Sequence, residues 1–137
     1  MSLNVELLEH SFQLIKPQAE EFATKFYDNL LTDFPEVQPL FAHTDLTKQR
    51  KHLISALVLV VENLRRPETL KEALVSLGAR HVNYGTIPEY YPFVGQTLLK
   101  TFEQILQTNW TPEIKQAWID AYEVISQVML TGAATAS

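Results

Sequence analysis

The chemistry-bearing residues that stand out in this chain are four histidines, a tyrosine and a glutamine, and their spacing sorts them. Histidine changes charge near neutral pH and is a common metal ligand, so its placement on or off an apolar face matters. His10 lies off the stripe formed by Leu8, Phe12 and Ile15, and His43 falls in the polar connection Ala42 to Asp45; both read as surface residues. His52 neighbours Leu53 but points about 100° away from it on a helix, toward the edge. His81 differs, because it continues the stripe Leu70, Leu74, Leu77 into the interior. Two readings fit it: a buried neutral imidazole bonded to a carbonyl, or a ligand to buried iron. Tyr27, between Ala23 and Leu30, carries a hydroxyl into apolar surroundings, and Gln49 lies one turn before Leu53. Either could be a core-edge residue whose tip reaches water. Buried polar groups cost about 1–3 kcal/mol each when unpaired, so together with His81 they call for something that satisfies them.

Other catalytic apparatus is missing from the sequence. No G-x-S-x-G, G-x-x-x-x-G-K-[ST] or G-x-G-x-x-G occurs, and no two histidines have the i,i+4 spacing of a helical zinc site. The carboxylates are scattered over polar faces, and Glu20-Glu21 reads as a solvated pair. With no cysteine, disulfides, thiolate metal sites, Fe–S clusters, thiol catalysis and thioether-attached groups are excluded.

The elements that must position these residues are helical. Apolar spacing of about 3.6 residues recurs while alternation at period two is scarce, and the four glycines and seven prolines fall between the patterns. Val5, Leu8, Phe12 and Ile15 form the first pattern, stopped at Lys16-Pro17. Phe22, Phe26 and Leu30 form the second, with Pro17 in its first turn and Asp33-Phe34-Pro35 as its break. Pro35 to Phe41 holds one or two turns. A helix of about twenty residues, roughly 30 Å, then carries Leu46, Leu53, Leu57, Val60 and Leu64, with Arg65-Arg66 at its C-terminus. The His81 helix is expected to stop at Gly85. Thr86 and Glu89 offer a capping box to the next helix, but Pro92 pushes its start later. Thr111-Pro112 opens a last helix that is expected to run to Gly132, leaving Ala133 to Ser137 as a frayed tail. The sum is an all-α protein of six long helices and one short one.

At 137 residues, 46% hydrophobic and 20% charged, the chain suits one globular domain that needs no covalent staples. A net charge of −5 offers no broad basic field for nucleic acid or anionic lipid. The longest nearly apolar run, Leu53 to Val61, is far short of the roughly twenty residues a membrane span needs. There is no basic-then-apolar leader pattern, so a cytoplasmic protein is expected.

In order and spacing, Phe26-Tyr27, Pro39-Leu40-Phe41, Gln49-Arg50 with Leu53, Leu77-Gly78-Ala79-Arg80-His81, Tyr91-Pro92-Phe93-Val94-Gly95 with Leu98-Leu99, and Ala117-Trp118 with Ala121-Tyr122 resemble bacterial globins. The likeness runs over about residues 5 to 130 and is to single-domain globins and the haem domain of flavohaemoglobins. It implies a three-over-three globin fold across residues 1–137 and a non-covalent haem b whose iron is held by His81. By the same resemblance Phe41 wedges against the porphyrin, Leu53 lies above the iron, Val94 and Leu98 line the floor, and His52 reaches a propionate. Tyr27 and Gln49 match the distal pair that stabilises a bound gas. The implied ligands are O₂, NO and CO, and the implied activity is dioxygenation of NO to nitrate. The sequence given stops at Ser137 without a flavin- and NADH-binding domain, so turnover is expected to need an external reductase. The stretch Thr131 to Ser137 lacks the late glutamate of flavohaemoglobins, which argues against a strong electron push for O–O cleavage. Two other readings stay in view: a gas or redox sensor acting through a partner, and a haem-free globin-fold module for protein contact. A bilin-binding relative is excluded by the missing cysteine.

Overall fold

The structure is a computed structural model that describes residues 3–83 and 86–136. Six α-helices occur among these residues: α1 (Val5–Ile15), α2 (Ala19–Asp33), α3 (Leu46–Glu62), α4 (Pro67–Asn83), α5 (Tyr91–Leu106) and α6 (Pro112–Ala136). The short helix is the 3-10 segment Pro35–Phe41, and further 3-10 turns precede α2, precede α5 and follow α5. The helices pack in two layers, with α1 touching α3 in one, and α2 touching α5 and α5 touching α6 in the other. Across the layers α2 meets α3, α1 meets α6, and α4 lies along α6, the most extensive contact in the molecule. This is the three-over-three arrangement. No helix among the described residues is long and apolar enough to cross a membrane.

Local chemistry sets the helix starts. The Asn4 side chain accepts from the Leu7 N–H at 3.2 Å, Asp45 from Thr47 and Lys48 at 2.9 and 3.3 Å, and Thr111 from Ile114 at 3.2 Å. Each satisfies a donor that has no partner within its helix. The start of α5 does slip past Glu89: a 3-10 turn at Pro88–Tyr90 comes first, which leaves Pro92 in the opening turn where a missing N–H is harmless.

Three boundaries differ from the sequence expectation. Pro17 sits in a separate 3-10 turn, Lys16–Gln18, rather than in the first turn of α2. α3 ends at Glu62, so Arg65 and Arg66 lie beyond it; Asn63 folds back to donate to the Leu59 carbonyl at 2.8 Å, and Arg65 pairs with Glu9 at 2.9 Å. α6 does not stop at Gly132 but continues to Ala136, because Gly132 is buried against α4 instead of ending a helix. The Gly85 stop lies outside the described residues.

The core is aromatic where α2, α5 and α6 meet. Phe102, fully buried, packs edge-on to Phe22 at 4.9 Å between ring centres and against Trp118 at 4.5 Å. The Trp118 indole N–H donates to the buried Ser11 Oγ at 2.8 Å, and Ser11 in turn donates to the Leu7 carbonyl at 2.7 Å. Thr97 and Thr101 return their hydroxyls to the carbonyls of Phe93 and Thr97, so α5 buries polar atoms without leaving donors unpaired.

Candidate functional site

Helix α2 turns its buried face toward α3 and the 3-10 segment, and Tyr27 sits on that face at 6% exposure. Its ring packs edge-on against Phe26 at 5.0 Å and against Phe41 at 5.7 Å. Its hydroxyl donates to the Gln49 backbone carbonyl at 3.4 Å. That distance is at the long limit of a hydrogen bond, and the carbonyl already belongs to the ladder of α3. Burial pushes the Tyr27 phenol up to about 12, with a hydrogen bond from Gln49 acting the other way. The phenol is therefore a proton-bearing donor throughout the neutral range. Tyr27, Gln49 and Phe41 are thus brought together. Gln49 is held there because Asp45 caps α3 and fixes the register of its first turn.

Leu53, one turn beyond Gln49, is half-buried against the core. His52 beside it faces solvent, as do His10 and His43. On α5, Val94 is half-buried and Leu98, one turn later, is buried.

His81 lies in the last turn of α4. The stripe that leads to it opens along its length, since Leu70 and Leu74 are buried while Leu77 and His81 are half-buried. The imidazole Nδ1 lies 2.7 Å from the Leu77 carbonyl oxygen. A carbonyl can only accept, so the ring carries its proton on Nδ1 and its lone pair on Nε2. Burial holds the His81 pKa below the usual histidine value; the Leu77 bond opposes this and the nearby Arg80 charge adds to it. A neutral ring with an oriented Nε2 lone pair is the form that binds a metal.

One arrangement was not singled out from sequence. The Tyr122 hydroxyl of α6 donates to the Tyr91 backbone carbonyl at 2.7 Å, tying α6 to the start of α5. The signal available was Gly95, one turn after Tyr91: a Cβ there would lie 2.8 Å from the Tyr122 ring, so the glycine leaves the space the ring fills. Burial raises the Tyr122 phenol, with the neighbouring Tyr91 adding to the shift. Among the described residues, no group of three or more His, Asp or Glu could hold a metal ion.

A family model for globins matches residues 24–129. The flavohemoprotein of Bacillus subtilis is 30% identical over 128 residues, which is 92% of this chain and 32% of that protein. A globin-like protein of Aquifex aeolicus is 28% identical over 127 residues, covering 93% of this chain and 89% of its own length. The chain thus spans about a third of the flavohemoproteins it matches. Among solved structures, an engineered carbene transferase, a proposed nitric oxide dioxygenase of Rhodothermus marinus, superposes with a TM-score of 0.85 at 23% identity, covering 96% of this chain and 91% of that one. A bacterial globin of Campylobacter jejuni superposes with a TM-score of 0.81 at 25% identity, covering 96% and 94%.

Proposed function

The chain belongs to the globin family, and on that premise we propose that it holds a non-covalent haem b through His81 and binds O₂, NO and CO. The observation that carries the reading is Tyr27, a phenol buried in an aromatic wall whose hydrogen bond to the Gln49 backbone carbonyl is as long as 3.4 Å. Such a donor is kept for something other than the fold.

The residues present fit the group. A flat apolar macrocycle needs apolar walls and one axial nitrogen. Phe41, Leu53, Leu77 and Val94 are half-buried rather than sealed, Leu98 is buried behind them, and His81 presents a neutral imidazole with its lone pair on Nε2. With no cysteine in the chain, attachment through thioethers is excluded. His52, exposed and next to Leu53, suits a propionate at the rim.

When bound, haem supplies an iron that takes diatomic gases and exchanges electrons. The protein's part is to orient and to donate. The Leu77 carbonyl holds the His81 ring by its Nδ1–H and keeps it basic at Nε2. Tyr27 holds a proton at Oη, and the Gln49 amide supplies a second donor beside it. The rings of Phe26 and Phe41 lower the local dielectric around the Tyr27 hydroxyl, which strengthens that donor.

Strong donors slow the escape of a gas that accepts hydrogen bonds, which suits NO dioxygenation to nitrate with electrons from a separate reductase. The similarity to flavohemoproteins supports this activity. The test is nitrate formed per haem when NO is added to the oxygenated protein, with and without a ferredoxin- or flavodoxin-type reductase system. Repeated turnover with the reductase and a single turnover without it are expected. One turnover that no reductant can sustain would leave gas binding in place and refute the enzymatic reading.

A further inference from the structure

α4 and α6 cross with their backbones in direct contact at two points. A Cβ placed on Gly78 of α4 would fall inside the Met129 carbonyl of α6, and a Cβ placed on Gly132 of α6 would fall inside the Val75 carbonyl of α4. Val75 and Gly78 are one turn apart on α4, and Met129 and Gly132 are one turn apart on α6. Gly132 pairs with Val75 and Gly78 with Met129, so the helices run antiparallel, each glycine seated on the other's carbonyl. Contact this close admits Cα–H···O interactions and leaves no slack between the helices. α6 is the element against which α4 chiefly packs.

His81 lies three residues beyond Gly78, less than a turn away on α4. Its ring is tied to the same helix through the Leu77 carbonyl, the residue next to Gly78. The seat of α4 on α6 therefore sets where the imidazole stands. α6 is itself anchored from its other turns, by Trp118 to Ser11 of α1 and by Tyr122 to the Tyr91 carbonyl of α5. A rigid path thus leads from the core to the imidazole.

We propose that Gly78 and Gly132 are positioning residues for the His81 imidazole, fixing through the α4–α6 contact the height and tilt at which its Nε2 meets the iron. The inference rests on the reading of His81 as the iron ligand. Alanine at Gly78 forces the helices apart in the turn before His81, and alanine at Gly132 does so at Val75, one turn earlier on α4. Overpacked interiors answer such insertions by backbone shifts. The displacement passes to a bond that tolerates little misplacement.

The experiment uses haem-loaded protein in the ferrous, gas-free state and reads the iron–histidine stretch by resonance Raman spectroscopy. The wild type should show that band. His81→Gly should lose it and recover an iron–imidazole band when imidazole is added. Gly78→Ala and Gly132→Ala should shift or split the band and lose haem about ten- to hundredfold faster, the usual cost of disturbing what orients a metal ligand. Phe22→Leu, which weakens the buried ring contact between α2 and α5, should lower stability without moving the band. In the His81→Gly background with imidazole, adding Gly132→Ala should leave the band in place, because the ligand no longer hangs from α4. Glycine variants with lowered stability and an unmoved band would overturn the proposal. A wild type without any iron–histidine band would overturn both this inference and the reading of His81 beneath it. If neither alanine variant accumulates, Leu74→Val, which thins the buried side of α4 by one methylene, takes their place, and an unmoved band there overturns the proposal equally.

Discussion

Replacing Tyr27 by Phe separates what the hydroxyl does for the fold from what it does for a ligand. The ring is retained, so its contacts with Phe26 and Phe41 persist. What the hydroxyl gives up within the protein is its contact with Gln49, a 3.4 Å bond to the backbone carbonyl and the neighbouring side-chain amide. An ordinary hydrogen bond contributes about 0.5–1.5 kcal/mol net, and one this long belongs at or below the bottom of that range. Removing a buried hydroxyl also removes its desolvation cost, so the haem-free protein should change stability by no more than about 0.5 kcal/mol. Bound O₂ carries partial negative charge, and a hydrogen bond to a charged acceptor contributes about 1.5–3 kcal/mol, a ten- to hundredfold change in release. Denaturant unfolding of the haem-free variant and stopped-flow O₂ dissociation of the loaded one measure the two quantities. CO, a poorer acceptor, should respond much less. A variant that loses more than about 1.5 kcal/mol of stability while releasing O₂ at the wild-type rate would show that the hydroxyl serves the fold, and the reasoning would fail.

Further outcomes follow from particular contacts. Gln49→Leu should speed O₂ release in the same direction as Tyr27→Phe, and the double variant should fall short of the sum because both donors serve one ligand. Tyr27 should resist alkaline titration until about pH 12 in the folded protein; unfolded tyrosine ionises near pH 10, so its contribution to stability is fully present below that pH and is lost between roughly pH 10 and 12, which ultraviolet difference spectra and unfolding curves can follow. Trp118→Phe should cost about 1–3 kcal/mol in denaturant unfolding, because it strips the buried Ser11 Oγ of its donor and thins the ring stack on Phe102. Gln107 adopts φ 50° at the end of α5, a left-handed backbone that glycine accepts freely, so Gln107→Gly should raise stability by about 1 kcal/mol.

The helices themselves were legible because apolar period and capping chemistry agree along most of the chain. Thr111-Pro112 announces α6, and Pro92 announces the late start of α5. Tyr27 and Gln49 could be expected to share an interior, since each lies on the apolar face of its own helix, and the structure brings them together. What was not legible depends on pairs of elements. Gly132 reads as a helix stop in one dimension, whereas in the fold it is the seat of α4 on α6. Arg65 reads as a charge at a helix end, whereas its partner is Glu9, fifty-six residues earlier and unrelated by any local spacing. The Tyr122 bond to the Tyr91 carbonyl is invisible for the same reason, because a backbone acceptor leaves no mark on the sequence.

The central claim, an iron held by His81, is tested most directly by the absorption spectrum and haem content of the purified protein beside its His81→Ala variant. The account predicts a Soret band in the wild type that shifts on reduction and again on CO addition, and its loss or severe weakening in the variant. A variant that retains haem at the wild-type level with an unchanged ferric spectrum would contradict it, and His81 would then be a core histidine bonded to the Leu77 carbonyl rather than an iron ligand.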